Sequence, residues 1–190
     1  MPLFTRAIDL DHPRAAVWAW HLRPGALPRL TPPWEATEVV RSGGVADGAE
    51  VVIRARVAPG IDSVWTMQHH DVVPPEHFRD RMRRGPFDRW EHLHRFDATA
   101  PSRTRATDEV VWALPLGPLG ALGDGMVRRR LERMFAYRQG TLAADLAEHA
   151  RYTGAPLRIA VTGARGLLGT QLVAFLTTGG HTVTPLVRGT

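Results

Sequence analysis

The stretch Glu76–Phe96, EHFRDRMRRGPFDRWEHLHRF, decides how the larger part of this chain folds. Residues two apart in a β-strand point to the same side of a sheet. The stretch contains two such alternating runs, joined at Gly85-Pro86. Their apolar face carries Phe78, Asp80 and Met82 from the first run and Trp90, His92, His94 and Phe96 from the second. The pattern predicts a β-hairpin whose apolar face also holds an acid and two histidines.

These faces restrict the register of the hairpin. An even-length loop would set Met82 opposite Arg89, which places an apolar residue against a charged one. A three-residue loop pairs Asp80 with His92, a five-residue loop pairs Asp80 with His94, and the sequence leaves both open. In either register a histidine lies opposite Asp80 with the Cβ atoms about 5 Å apart, within hydrogen-bonding reach of the side chains.

The cluster of Asp80, His92 and His94 has three interpretations. It can be a buried hydrogen-bonded group that only satisfies polar atoms in the core. It can orient a ligand or act as a catalytic acid–base pair, because a carboxylate beside a buried histidine shifts the pKa of the imidazole. The His-x-His spacing also suits a metal ion. We predict no metal, because the adjacent His69 and His70 of a strand cannot both face inward.

The composition restricts the class of protein. The 190 residues contain no cysteine, and 24 basic side chains, all arginine, are interleaved with 19 acids to give a net charge of +5. Disulfides and thiolate catalysis are therefore excluded, and no aromatic stacking pattern accompanies the arginines to indicate nucleic-acid binding. No apolar run approaches the roughly 20 residues that span a bilayer. We expect a cytoplasmic protein with no membrane span and no nucleic-acid partner.

The hairpin lies within a longer series of predicted strands. Two short helical segments follow the first strand, and one amphipathic helix runs from about Leu119 to His149. Consecutive strands joined by short turns form an antiparallel meander. The predicted fold class is therefore α+β, with a curved antiparallel sheet around one long helix.

This order of elements over Met1–Arg151 resembles the START-like, or helix-grip, fold of polyketide cyclases, pollen allergens and lipid-transfer domains. The resemblance implies a cavity between sheet and helix that holds an apolar or aromatic small molecule. The inward-facing residues expected to line it are Trp65, Met67, Phe78, Met82, Trp90, His92, His94, Phe96 and Trp112. Large aromatic residues at such positions also suit a solid core, and the sequence leaves this alternative open.

A different signal begins at Leu157, where LRIAVTGARGLLG predicts a buried strand, a glycine turn and the start of a helix. In such turns the three glycines permit the tight turn, the approach of a pyrophosphate and close helix–strand packing. The N-terminus of the helix then faces the anion. The residues predicted to contact a dinucleotide are Thr162, Gly163, Arg165, Gly166, Leu167, Leu168, Gly169 and Arg188.

The TGxxGxxG spacing resembles extended and atypical short-chain dehydrogenases/reductases of the NAD-dependent epimerase group. Arg188, a basic residue after the second strand, favours NADP over NAD. With PGALPRLTPPWE and GPFDRWEHLHRF, the whole chain resembles a family of epimerase-like oxidoreductases that is often labelled cell-division-inhibitor-like. The Tyr-x-x-x-Lys pair of that family has no counterpart here, since the sequence contains no lysine.

The two resemblances predict the organisation of the chain. We expect a START-like domain at 1–151, a linker at 152–156 and the first β-α-β unit of a Rossmann domain at 157–190. A complete Rossmann sheet needs further strands, so we expect a truncated NADP- or NAD-dependent oxidoreductase that binds no cofactor in this form. The β-α-β unit should pack on the first domain, pair across chains as a dimer, or fray.

Three functions follow from these expectations. The first is a domain of the oxidoreductase that binds an apolar, aromatic or lipid-like molecule. The second is a cyclase or dehydratase that uses Asp80, His92 and His94. The third is a carrier, without activity of its own, that delivers a ligand to the reductase.

Overall fold

The computed structural model describes residues 1–58 and 60–187 of the chain. The elements are, in order, β1 (Leu3–Leu10), α1 (Arg14–His21), α2 (Ala26–Leu30), β2 (Thr37–Ser42), β3 (Glu50–Ala58), β4 (Ile61–Val73), β5 (His77–Arg84), β6 (Arg89–Ala100), β7 (Arg103–Ala113), a 3-10 turn (Gly120–Gly123), α3 (Asp124–Ala150), β8 (Arg158–Thr162), α4 (Leu167–Thr178) and β9 (Thr182–Leu186). No helix among these described residues is long and apolar enough to cross a membrane.

Strands β1 to β7 form one antiparallel sheet in the order β1-β7-β6-β5-β4-β3-β2. The strands β2 to β7 are therefore a meander, and β1 closes the far side by pairing with β7. Successive strands pair because the turns between them are short. The predicted α+β arrangement of a large antiparallel sheet with one long helix is confirmed.

The hairpin of β5 and β6 has the register of a three-residue loop. Arg81 pairs with Glu91, and Asp80 pairs with His92. The five-residue alternative is wrong. The register keeps the apolar residues of both strands on one face, as the alternation requires.

Helix α3 covers the inward face of the sheet and forms two apolar clusters with it. Leu131 and Phe135 pack with Phe4, Val110 and Trp112. Two to three turns further on, Leu142 and Leu146 pack in a second cluster whose large members are Trp18, Trp20, Phe78 and Phe96. The helix is continuous through Gly140, although a glycine inside a helix costs about 1 kcal/mol relative to alanine.

Strands β8 and β9 pair in parallel and, with α4 between them, form a β-α-β unit. Helix α4 packs against α2, and the contact requires a glycine at position 25. A Cβ on Gly25 would lie 2.1 Å from the carbonyl oxygen of Ala174. Arg29 of α2 donates to Gln171 Oε1 at 3.1 Å and lies over the ring of Phe175 at 5.7 Å. Of the three arrangements expected for this unit, the structure has the one packed on the preceding domain; the dimer stays a prediction.

A buried ion pair anchors this contact to α3. Arg29 donates from Nη2 to Asp145 Oδ1 at 2.6 Å and from Nε to Asp145 Oδ2 at 2.9 Å. The carboxylate is 2% exposed, so water screens the pair weakly. At the end of the same helix His149 contacts Thr178 of α4 through Nε2 at 3.0 Å. Helix α2 is thus held by α3 on one side and by α4 on the other.

We predict that Gly25→Ala separates α4 from α2 while the seven-stranded sheet stays folded. The added methyl group collides with backbone, which cannot move aside as a flexible side chain would. Limited trypsin digestion should then cut faster at Arg151 and Arg158, which flank the segment between α3 and β8.

Gly140→Ala is the matched control. A Cβ on Gly140 meets nothing within 4 Å, and alanine is the better helix former by about 1 kcal/mol. This variant should be slightly more stable and equally resistant to trypsin. Unchanged digestion of Gly25→Ala would contradict the packing of α4 on α2.

Candidate functional site

A cavity of about 490 Å³ lies between the sheet and the helices. Its volume falls within the range of small-molecule sites. Seven of the nine residues predicted to line it do so, and Asp80 lies among them. The seven are Trp65, Met67, Phe78, Met82, Trp90, His92 and His94. Inward-facing residues of β3, residues of α2 and one side of α3 complete the wall.

Phe96 and Trp112 do not line this cavity. Phe96 lines an adjoining space of about 20 Å³, and its ring contacts the rings of Trp18 and His21. Trp112 is fully buried and donates from Nε1 to Asp124 Oδ1 at 2.9 Å. Both residues are on the inward face as predicted. Their predicted place in the cavity wall was wrong, because period-2 alternation identifies which face of a strand a residue lies on but not whether other side chains cover it.

The cluster predicted on the hairpin contains a fourth member, Asp108 of β7. The His92 imidazole lies between the two acids, with Nδ1 3.2 Å from Asp80 Oδ2 and Nε2 3.1 Å from Asp108 Oδ1. His94 lies between the same oxygens, with Nε2 3.2 Å from Asp80 Oδ2 and Nδ1 3.1 Å from Asp108 Oδ1. The two rings are 3.7 Å apart between centroids. We call these four residues the His–Asp quartet.

Four nitrogen–oxygen contacts connect the quartet in a closed ring, and two of them, His92 Nε2 with Asp108 Oδ1 and His94 Nε2 with Asp80 Oδ2, are hydrogen bonds. A carboxylate oxygen only accepts, so the two Nε2 atoms are the donors in these bonds. The quartet therefore places two imidazoles between two carboxylates. Its side chains are between 4% and 17% exposed, so these charges interact with little screening by water.

The charges of the quartet shift the pKa values of its members. Burial opposes the charged form of Asp80 and Asp108, but the charges and hydrogen bonds of the two imidazoles hold the pKa of each carboxyl well below its usual range. Burial also opposes the charged form of His92. The charge of Asp80 and the hydrogen bonds to both acids outweigh it and raise the pKa of His92 to about 9.

His21, at the end of α1, is the neutral histidine of the site. Its Nδ1 is 2.8 Å from the carbonyl oxygen of Val17, and this contact requires Nδ1 to be the donor. Burial lowers the pKa of His21 to about 4, against the smaller opposing effect of that hydrogen bond. In the neutral ring Nε2 is therefore an acceptor, and His21 lines both the cavity and the adjoining space.

Sequence reasoning missed Asp108, His21 and Arg138, which all lie at the site. Asp108 shares the inward face of β7 with Val110 and Trp112, so an acid at an apolar position was the available signal. Arg138 falls on the buried stripe of α3, where the pattern otherwise predicts apolar residues. His21 ends a short helix, and no local pattern indicates which side it faces.

The ligand atoms of Asp80, His92 and His94 lie within 4.8 Å of one another, a spacing at which three residues can hold a metal ion. In the closed ring each of these nitrogens instead contacts a carboxylate oxygen. A metal would have to replace these contacts at every nitrogen that it bound. The absence of a metal stays a prediction.

The glycine turn of the β-α-β unit lies between Thr162, the last residue of β8, and Leu167, the first of α4. Gly163 has a φ of +64°, which favours glycine. A Cβ on Gly169 would lie 2.1 Å from the carbonyl oxygen of Gly163, so helix and turn are in close contact. Arg165, Leu167 and Leu168 are exposed on this turn. Arg188 lies outside the described residues.

Residues 10–135 match the sequence model of the family described as polyketide cyclase/dehydrase and lipid transport. A comparison with curated proteins gave no match.

Among solved structures, the chain is similar to a nucleoside-diphosphate sugar epimerase from Corynebacterium glutamicum, with a TM-score of 0.78 and 32% identity over 98% of this chain. The match covers 39% of that epimerase, so this chain spans about two fifths of its length. It is also similar to the Zhui aromatase/cyclase from Streptomyces sp. R1128, with a TM-score of 0.64 and 16% identity over 80% of this chain and 98% of that one. A START superfamily protein from Mycobacterium smegmatis gives a TM-score of 0.54 and 12% identity over 77% and 97% of the two chains.

We predict that the free energy of unfolding is largest near pH 6.5. The folded-state pKa of His92, about 9, is above its ordinary value, so its stabilisation is full below pH 6.5 and is lost as the pH rises towards 9. The folded-state pKa of His21, about 4, is below its ordinary value, so stability falls as the pH drops from 6.5 to 4. Each histidine contributes about 3 kcal/mol over its own window.

Urea unfolding at pH 4.5, 6.5 and 9 measures this dependence. In His92→Gln the free energy of unfolding should fall less between pH 6.5 and 9 than in the wild type. In His21→Gln it should fall less between pH 6.5 and 4.5. Neither expectation depends on the stability of the variant at pH 6.5. A wild-type protein equally stable at pH 6.5 and 9 would show that the quartet does not hold a proton on His92.

Proposed function

The chain belongs to the polyketide cyclase/dehydrase and lipid transport family, and we propose that its cavity binds one apolar or aromatic small molecule. The observation that carries this proposal is the cavity of about 490 Å³, bounded by both apolar clusters. A solid core would instead be packed with few voids larger than a water molecule. The empty volume lies where the inward faces of β3 to β6 meet α2 and α3.

Polar atoms in the cavity wall indicate that the ligand also carries polar groups. The indole Nε1 of Trp65 and Nδ1 of His69 are buried and have no hydrogen-bond partner among the described residues. Buried polar atoms without partners are costly, and polar groups of a ligand would satisfy them. A few fixed polar groups in an apolar wall are typical of sites that select the orientation of a ligand.

The quartet suits an orienting role better than a proton-transfer role. Because the pKa of His92 is raised to about 9, its imidazole stays protonated at neutral pH and cannot act as a base. The observation that favours the alternative, a cyclase or dehydratase, is the neutral His21 with its acceptor Nε2 in the cavity wall. Native mass spectrometry of the protein with its bound molecule, before and after incubation, separates the two functions. A bound molecule that stays chemically unchanged supports binding alone. A bound molecule that the wild type converts and His21→Gln does not supports the cyclase.

For the whole protein, we propose an epimerase-like oxidoreductase in which this chain supplies the ligand-binding domain and the glycine turn. The similarity over 98% of this chain to part of an epimerase supports that context. The close contact between Gly163 and Gly169 is the helix-to-turn packing that the third glycine of a dinucleotide-binding turn permits. The backbone from Gly163 to Gly169 would hold NADP or NAD, and Arg188 favours NADP. When bound, the nicotinamide supplies a hydride donor or acceptor.

We predict that Ala55→Phe weakens binding of the neutral fluorescent probe N-phenyl-1-naphthylamine by about tenfold. Ala55 is buried on β3 and lines the cavity, so a phenyl ring there occupies the space of the ligand. Fluorescence titration measures the dissociation constant.

Val40→Phe provides the control, because Val40 is 50% exposed on β2 and lies outside the cavity wall. This variant should bind the probe as the wild type does. Equal binding by wild type and Ala55→Phe would place the probe elsewhere and contradict the proposed cavity function.

We predict that the 190-residue chain binds NADPH with a dissociation constant weaker than about 1 mM. The described residues offer one glycine turn and two parallel strands, and a dinucleotide normally lies across the carboxyl ends of more strands than these. Titration of NADPH fluorescence tests this. Micromolar binding would show that these residues suffice for a cofactor site.

A further inference from the structure

The cavity contains a second feature that the family function does not explain, the side chain of Arg138. It projects from α3 into the wall of both the main cavity and the small adjoining space. Its Nε donates to the carbonyl oxygen of Leu30 at 3.0 Å, and its guanidinium lies over the ring of Phe135 at 5.1 Å. These two contacts fix the head group and leave the Nη groups without a hydrogen-bond partner among the described residues.

The acids nearest to Arg138 each contact another side chain instead of its guanidinium. The three acids whose fields reach it are Asp108, Asp80 and Glu35. The two aspartates contact the imidazoles of His92 and His94 within the quartet. Glu35 is paired with Arg130. Within the described part of the chain, no carboxylate oxygen lies within 4.0 Å of the Arg138 guanidinium.

The guanidinium of Arg138 is therefore free to bind an anion. The guanidinium keeps its proton throughout the physiological pH range, so the charge cannot be relieved by deprotonation. A cation held away from bulk water without a partner is costly, and a carboxylate that accepts from both Nη groups is the geometry that a guanidinium binds best. The free edge of Arg138 opens into the cavity, where a ligand can supply that anion.

The polar and apolar parts of the cavity are separated along β6. His94, His21 and Arg138 surround the adjoining space, whereas Trp65 and Trp90 contact the ring of Phe87 near the β5–β6 turn. Trp90 and His94 are four residues apart on one strand, which corresponds to about 13 Å. A ligand that reaches both regions is an elongated molecule with one polar end.

We propose that Arg138 is an anion-binding subsite and that the cavity takes an apolar or aromatic molecule of about 13 Å with one terminal carboxylate or similar anionic oxygen. The anionic end accepts hydrogen bonds from the Nη groups of Arg138. The apolar body extends along β6 towards Trp65 and Phe87. This proposal rests on the proposed cavity function and adds the chemical class of the ligand.

A matched pair of probes tests the charge requirement. 1-Anilinonaphthalene-8-sulfonate and N-phenyl-1-naphthylamine share the same aromatic body, and only the first carries an anion. Arg138→Gln should weaken binding of the sulfonate by about tenfold and leave binding of the neutral probe within about twofold. Arg138→Lys should keep part of the preference, and Arg129→Gln, an exposed arginine of the same helix outside the cavity wall, should change neither constant.

A second measurement needs no variant, in case the substitutions disturb folding. Displacement of N-phenyl-1-naphthylamine from the wild type should require about tenfold less dodecanoate than dodecanol. Equal potency of the two, or equal loss of both naphthalene probes in a folded Arg138→Gln protein, overturns the anion subsite and leaves the cavity function intact. A wild type that binds neither naphthalene probe refutes the cavity function, and the subsite with it.

Discussion

The interior of this protein is organised around four ionisable side chains that are buried together. His92 and His94 come from one strand, and Asp80 and Asp108 come from its two neighbours, so the quartet joins β5, β6 and β7 through their side chains. No member is stable there alone, because a buried charge without a partner is strongly disfavoured. The imidazoles of His92 and His94 contact both carboxylates and hold their pKa values low, so the two acids stay ionised beside the cavity.

The arrangement of charges around the quartet gives the cavity its polarity. The acids of the quartet contact imidazoles, and Glu35 is paired with Arg130, whereas Arg138 is held by a backbone carbonyl and an aromatic ring. The result is one region that attracts an anion and a larger region that excludes water. Such a division fits a molecule with a single charged end better than a uniformly apolar one.

Helix α2 connects the cavity with the β-α-β unit. Leu27 and Leu30 line the cavity, while Gly25 and Arg29 of the same short segment contact α4. Arg29 is held in turn by the buried Asp145 of α3. A displacement of α4 would therefore also displace α2, and with it part of the cavity wall. Helix α2 is thus the element shared by the ligand site and the unit that carries the proposed cofactor turn.

The alternation in Glu76–Phe96 was enough to predict the hairpin, its apolar face and the presence of Asp80 among histidines, because strand periodicity is a local property. The glycine spacing likewise predicted the close contact of turn and helix, since it depends on a few consecutive residues. Tertiary structure alone decided that Asp108 completes the quartet, because a residue 16 positions from His92 joins it only through the pairing of β6 with β7. It also decided that α3 covers Trp112 but leaves Trp90 at the cavity, and that Arg138 and His21 reach the same wall. These outcomes depend on which elements pack together, and no local pattern in a single sequence contains that information.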